Sequence, residues 1–260
     1  MSDYQHIRVE PISTALGAVI HGIDCRSDLP NSVVDEIRKA WLEHLVVFFQ
    51  GQDLEPGEQL AFARRFGLPV KYPMLEGLSE FPEVVRVVKL SHEKNNFGGI
   101  WHSDTTYLEQ PPIGALLLAR EVPEVGGDTL FANMYLAYET LSTGLKNMLG
   151  RLIVVQSSAK AGASRSREDR LSDVSAVAEQ VLEAEHPVVQ THPETGRKTL
   201  FVNYGHSIRF KNMTEAESKP LLDYLFAHQT RSEFTCRFQW AAGSMAMWDN
   251  RCTQHNPIND

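Results

Sequence analysis

At 260 residues, 42% of them hydrophobic and 22% charged, the chain has the composition of a folded globular protein able to bury one large core. Its 25 Lys and Arg stand against 33 Asp and Glu, a net charge of −8, so it lacks the basic excess of a nucleic-acid binder. No apolar run approaches the roughly 20 residues of a membrane span, and the first residues, Met1, Ser2, Asp3 and Tyr4, carry no charged and apolar leader. Three widely spaced cysteines, Cys25, Cys236 and Cys252, describe no disulfide framework and read as reduced thiols. The expectation is one cytoplasmic domain over residues 1–260, a homo-oligomer with neither nucleic acid nor membrane as partner.

From the N-terminus, residues 16–23 and 45–49 read as buried strands, β-branched or aromatic and bounded by Gly or polar residues. Between them Asn31 is placed to cap a helix whose apolar positions Val34, Ile37, Trp41 and Leu45 recur at helical spacing. Pro56 suits a first helical turn, and Gly67 closes that helix after Phe62 and Phe66. Further strands are expected at 84–90, 113–120, 128–132, 152–156, 188–191, 198–202, 234–238 and 244–248. Residues 157–185, opening with "SSAKAGASRSREDRLSD", differ in character. They read as a solvated loop and surface helix, or, more sharply, as a mobile lid over a site. Thr214 and Glu217 form a capping box before Leu221, Leu222, Leu225 and Phe226. Many short strands between turn residues predict a mainly β fold, a sandwich or barrel with decorating helices.

The stretch "IWHSDTTY" sets His102 two residues before Asp104. On a strand, residues two apart share a face, so both could reach one ion, with a third ligand from elsewhere. Alone, the pair is a weak signal. The segment "MAMWDNRCTQHNP" adds His255. Two histidines and one carboxylate leave three adjacent positions open on octahedral iron, an arrangement suited to oxygen chemistry, with zinc as the competing metal. Cys252 falls on the face opposite His255 if the segment is extended, and reads as a buried structural thiol. Asp128, beside the Gly126–Gly127 turn, reads as structural. Trp248 and Asp249 read as core and turn, since nothing in a metal mechanism calls for an indole there.

"WHSDTTYLEQPP", "EVPEVGGDTLFANMYLAYETLS", "HPVVQTHPETGRKTLFVNYG" and "WDNRCTQH" together resemble the taurine dioxygenase family of Fe(II)- and 2-oxoglutarate-dependent oxygenases. The likeness runs from about Leu16 to the last residue, with the motifs in family order. It implies a double-stranded β-helix, or jelly roll, with His102, Asp104 and His255 as iron ligands and Thr129 bonded to a 2-oxoglutarate carboxylate. It also implies hydroxylation of a substrate C–H bond by O2, with 2-oxoglutarate leaving as succinate and CO2. Asp104 argues against a halogenating relative, which would need that position vacant. Where taurine-specific relatives bind their substrate, this sequence places Tyr72, Leu75, Gly98 and His206, so the expected substrate is another small acid: an alkyl sulfate, a sulfonate, or an aryloxy or carboxylic acid. A zinc hydrolase and a non-catalytic cupin-like binding protein remain the alternatives on the same three ligands. The family also anchors 2-oxoglutarate with an arginine about a dozen residues past the final histidine. Arg251 lies before that histidine and is expected on the outer face, so the natural chain is expected to continue past Asp260.

Overall fold

The computed structural model describes residues 4–90, 92–94, 96–161 and 180–260. Five strands form the larger sheet in the order β1 (Arg8–Pro11), β2 (Ala18–His21), β3 (Val46–Phe49), β12 (Met245–Asp249) and β4 (Gly114–Leu118). In it β2 and β3 run parallel and the other pairs antiparallel. A three-stranded antiparallel sheet, β11 (Thr235–Phe238), β5 (Thr129–Asn133) and β13 (Thr253–Pro257), packs against its inner face.

Side chains alternate across a strand, and the apolar residues divide accordingly. Val46, Phe48, Ala246 and Trp248 point between the two sheets, where they meet Leu16, Phe131, Cys236 and Phe238. There Phe48 stacks on Phe238 with centroids 3.8 Å apart and meets Phe131 at a steep angle at 5.7 Å. Val47, Phe49, Met245 and Met247 point the other way, onto Ile37 and Trp41 of α1 (Asn31–His44) and Phe62 of α2 (Pro56–Arg64). Each such buried side chain contributes about 1.5–3 kcal/mol. A further sheet, β10 (Ser207–Phe210), β6 (Ile153–Ser157) and β7 (Glu183–Pro187), and the hairpin of β8 (Val189–Thr191) with β9 (Lys198–Leu200) complete the strands. Val154, Leu200 and Phe210 there pack with Met134 of α3 (Met134–Glu139), Leu149 of α4 (Thr143–Leu149), and Leu222 and Leu225 of α6 (Glu215–Gln229). The result is the expected jelly roll with helices outside it. No helix among the described residues is long and apolar enough to cross a membrane.

Several local expectations are corrected. Pro30, not Asn31, precedes the first turn of α1, and the Asn31 side chain instead accepts a 2.7 Å bond from Arg65 Nη2. Residues 84–90 belong to no strand, and Val87 and Val88 are exposed. The segment expected as a lid begins and ends in regular structure: Ser157 closes β6, Ser158–Ala161 form α5, and Glu183–Pro187 are β7. Residues 162–179 lie outside the described residues. The capping box on α6 forms as read, with Glu217 N bonded to Thr214 Oγ1 at 3.2 Å and Thr214 N to Glu217 Oε2 at 2.8 Å.

Candidate metal centre and active site

On β13, His255 lies opposite Phe131 of β5 and Pro257 opposite Thr129. Opposed residues project to the same side, so His255, Phe131 and Thr129 share the face between the sheets. Across its other edge His255 exchanges both backbone bonds of a bridge with His102, His102 N to His255 O at 3.0 Å and His255 N to His102 O at 2.8 Å. The two imidazoles are thereby set side by side, 4.2 Å between centroids.

Asp104 arrives by a different route from the expected one. The chain does not continue as a strand; residues 104–107 turn, with Thr105 at φ +49° and Leu108 N bonded to Thr105 O at 2.9 Å. A β-branched residue in the left-handed region costs about 1–3 kcal/mol. Ser103 Oγ, bonded to Thr253 O at 2.6 Å, pins the start of that turn to β13.

The turn puts Asp104 Oδ1 3.6 Å from His102 Nε2 and 3.8 Å from His255 Nε2. These separations are too long for hydrogen bonds and suit an ion held between the three. His102 Nδ1 lies 2.7 Å from Ile100 O. A carbonyl only accepts, so Nδ1 carries a proton and Nε2 is the nitrogen left to face the cradle. Burial, aided by the nearby His102, pushes His255 down to about 3, which keeps its ring neutral at physiological pH. Burial alone would raise Asp104, but His255, His102 and the Trp248 indole outweigh it and hold the carboxyl below the usual range. Two imidazoles and a carboxylate fit a divalent cation.

Trp248 is buried in the core, as read, and its indole also reaches Asp104 of the cradle. Its Nε1 donates to Asp104 Oδ2 at 3.2 Å and to Asn250 Oδ1 at 3.0 Å, and its ring lies 4.8 Å from that of His255. Period-two counting along β12 could have found it, since Trp248 shares the inward face with Ala246. Trp240, unremarked in the sequence, donates from Nε1 to Thr129 Oγ1 at 3.0 Å, and Thr129 itself is buried.

Of the residues expected around the substrate, Gly98 and His206 come closest to the cradle. Gly98 has φ +68°, and a Cβ there would stand 3.0 Å from His102 Cε1 and 3.3 Å from Nε2, so the glycine keeps the Nε2 edge of that ring open. The buried ring of His206 lies 6.1 Å from His102 and 4.9 Å from Tyr107. Burial, then the neighbouring His102, pushes it down to about 3. Tyr72 meets Phe97 edge-on at 6.2 Å and neighbours Tyr107, whose hydroxyl is pushed up by burial and then by Tyr72. Leu75 is buried but lines a cleft with Pro56, Leu78, Phe81 and Val85 that none of the three cradle residues borders.

Cys252 stays away from the cradle, as read. It lies instead with His192 and Asp249 in a second buried group. Asp249 is no mere turn residue: fully buried, it receives Arg251 Nε at 2.8 Å, Arg251 Nη2 at 2.6 Å and His192 Nε2 at 3.0 Å. His192 Nδ1 accepts from the amides of Glu194 and Thr195, so Nε2 carries the proton and this group is saturated without a metal. Arg251 is not on the outer face either; its side chain is 15% exposed and also pairs with Glu194 at 2.7 Å. Asp128 is structural as read, tied to Arg237 Nε at 2.5 Å.

A jelly roll carrying two histidines and a carboxylate on its inner face has the architecture of a non-haem metal oxygenase. Residues 8–257 match the family model described as taurine catabolism dioxygenase TauD, TfdA family, and the chain belongs to that family. It is similar to the alkylsulfatase of Acinetobacter baylyi, 36% identical over 98% of this chain and 81% of that protein. It is similar to the alpha-ketoglutarate-dependent sulfate ester dioxygenase of Pseudomonas putida, 34% identical over 97% of this chain and 84% of that protein. A solved structure described as a taurine dioxygenase from Burkholderia xenovorans superposes with a TM-score of 0.82 at 36% identity, over 97% of this chain and 83% of that one. The chain is an enzyme, a 2-oxoglutarate-dependent dioxygenase, which sets aside the hydrolase and non-catalytic readings.

Proposed function

We propose that His102, Asp104 and His255 hold Fe(II), that Thr129 binds a carboxylate of 2-oxoglutarate, and that the enzyme hydroxylates a small organic acid beside its heteroatom. The substrate is an alkyl sulfate, a sulfonate, or an aryloxy or carboxylic acid. The observation that carries this reading is the convergence of Asp104 Oδ1 on two imidazole nitrogens at 3.6 and 3.8 Å. The sulfate-ester names of the two relatives support the substrate class. Bound here, iron supplies the activation of O2 that couples decarboxylation of 2-oxoglutarate to oxygen insertion into a C–H bond.

The chain's own residues do the rest. Ile100 O fixes the tautomer of His102, and Trp248 occupies Asp104 Oδ2, which leaves Oδ1 for the cradle. Phe131 and Trp248 wall the site against water from the core side. Gly98 leaves space for substrate along His102, His206 and Tyr72 line that space, and Leu75 stands further out. A carbon hydroxylated beside an ester oxygen then collapses to a carbonyl compound and frees the anion. We place the enzyme in the cytoplasm as a homo-oligomer, with residues 1–260 as one domain.

Anaerobic Fe(II) and 2-oxoglutarate should give the weak visible band of a keto acid on ferrous iron. Aerobic succinate release should then rise with hexyl sulfate, hexanesulfonate or phenoxyacetate more than with taurine. A band that survives His102→Ala at full strength would sink the ligand assignment, and succinate release indifferent to every acid would sink the substrate class.

A further inference from the structure

We propose that Gln156 is a positioning residue for the substrate pocket: its side chain ties the turn that carries Asp104 to the loop that carries His206. The proposal rests on the reading of His206 as a pocket residue. Gln156 lies on β6 and is wholly buried. Its Oε1 accepts from Thr106 Oγ1 at 2.9 Å, Asn203 Nδ2 at 3.1 Å and Ser207 Oγ at 3.2 Å, and its Nε2 donates to Phe201 O at 3.0 Å. Asn203 Nδ2 also reaches Thr106 Oγ1 at 3.1 Å, which closes a triangle. The amide oxygen, with two lone pairs, is saturated.

Each arm of this knot ends at the site. Thr106 stands two residues past Asp104. Asn203 Oδ1 accepts the His206 amide at 2.9 Å, and Ser207 Oγ accepts the Asn203 amide at 3.0 Å, so both ends of the 203–207 loop are bound to the same glutamine. At its middle the loop presses on the ligand segment. Gly205 N bonds Trp101 O at 3.0 Å, and a Cβ on Gly205 would stand 2.8 Å from His102 Cβ.

Stability alone does not call for this arrangement. Val154 and Val155, next along β6, are apolar and buried, and replacing a whole set of buried polar partners by apolar groups of the same shape is often nearly neutral. What a saturated buried network adds is a unique geometry. Here that geometry is the placement of the His206 ring relative to the metal cradle, and displacement of about 1 Å near reacting atoms costs on the order of 100-fold in rate.

The test compares Gln156→Leu, Gln156→Glu and Thr106→Val in the full chain. Gln156→Leu should leave the ferrous 2-oxoglutarate band within about twofold of wild type, raise KM for the stimulating acid about 10-fold and release more succinate per hydroxylated product. Gln156→Glu, held as the neutral acid by its burial, keeps an oxygen facing the three donors and an O–H for Phe201 O, and should return KM to within about threefold of wild type. Thr106→Val cuts one arm without touching β6, so it carries the test if Gln156→Leu does not fold. Its effect should be smaller and non-additive with that of Gln156→Leu. In the metal-free protein, amide exchange at residues 205–207 should accelerate in Gln156→Leu and Thr106→Val, while the His102 and His255 bridge amides keep wild-type rates. Unchanged exchange at 205–207 overturns the tether. Faster exchange with unchanged KM and coupling overturns the positioning role. Absence of acid-stimulated succinate release in the wild type overturns the functional reading and the positioning role built on it, while the exchange result still decides the tether.

Discussion

Trp248→Phe separates the indole's place in the core from its hydrogen bond to Asp104, a proposed metal ligand. The side chain is 5% exposed, and its one N–H is shared between Asp104 Oδ2 at 3.2 Å and Asn250 Oδ1 at 3.0 Å. A hydrogen bond to an ionised group contributes about 1.5–3 kcal/mol. Shared, and long for its type, this one belongs at the lower end, about 1.5 kcal/mol, or roughly tenfold in metal affinity. That figure falls within the range of about 10–100-fold expected for a partner that orients a ligand. The folded state also suffers. Asn250 Oδ1 loses its donor while its Nδ2 already lacks a partner, a cost of about 1–3 kcal/mol. Calorimetric titration of Mn(II) or Co(II) reads the first effect, and urea denaturation of the metal-free protein reads the second. Asn250→Ala is the control: it should cost stability yet leave metal affinity near wild type, because the indole then serves Asp104 alone. Metal affinity within twofold of wild type in Trp248→Phe would refute the reasoning and return the indole to the core.

Further expectations concern other residues. His102→Ala should weaken metal binding by more than ~100-fold, beyond the range for outer partners, as read by the ferrous 2-oxoglutarate band. His206→Phe, at a neutral buried ring, should shift preference among acids about 10-fold and leave that band within twofold; an effect confined to stability would remove His206 from the pocket. Asp249 is a pH probe: burial would raise its carboxyl, but Arg251 and His192 outweigh that and hold it below the usual range. Its stabilisation is therefore present above the unfolded value of about 3.9 and is lost as pH falls through the lower folded one. Asp249→Asn should cost about 3–5 kcal/mol at pH 7, and the gap from wild type should narrow below about pH 4. Urea midpoints that differ equally at both pH values would contradict this.

How far the fold is legible in the sequence follows from which faces are covered. β3 and β12 are buried on both sides, by helices and by the second sheet, so they read as continuous apolar runs. β7, "EAEHP", alternates exposed and buried positions but carries charge and imidazole, and β10 is four residues with an arginine. Neither offers a run to detect. α3 and α4, at six and seven residues, show fewer than two turns of periodicity. The residue types of the proposed ligands stand out in the sequence because few side chains bind a divalent ion. Their geometry is not, since Thr105 takes a left-handed backbone without the glycine or asparagine that would announce it. Trp248 and Asp104 lie 144 positions apart, which no local pattern reveals.

The bridge between His102 and His255 also bears on when metal can be captured. More than half the chain lies between the two residues, yet they exchange both backbone bonds. During synthesis His102 and Asp104 leave the ribosome long before His255, so a nascent chain offers two of the three proposed ligands and no cradle. The entropy of closing so long a loop is met by the sheets, before any ion arrives. An ion that binds only the closed form then adds to its stability, by about 2.7 kcal/mol at a free concentration 100 times the Kd. With the proposed ligands, loading would be a check on completed folding, and detachment of β13 would release the ion.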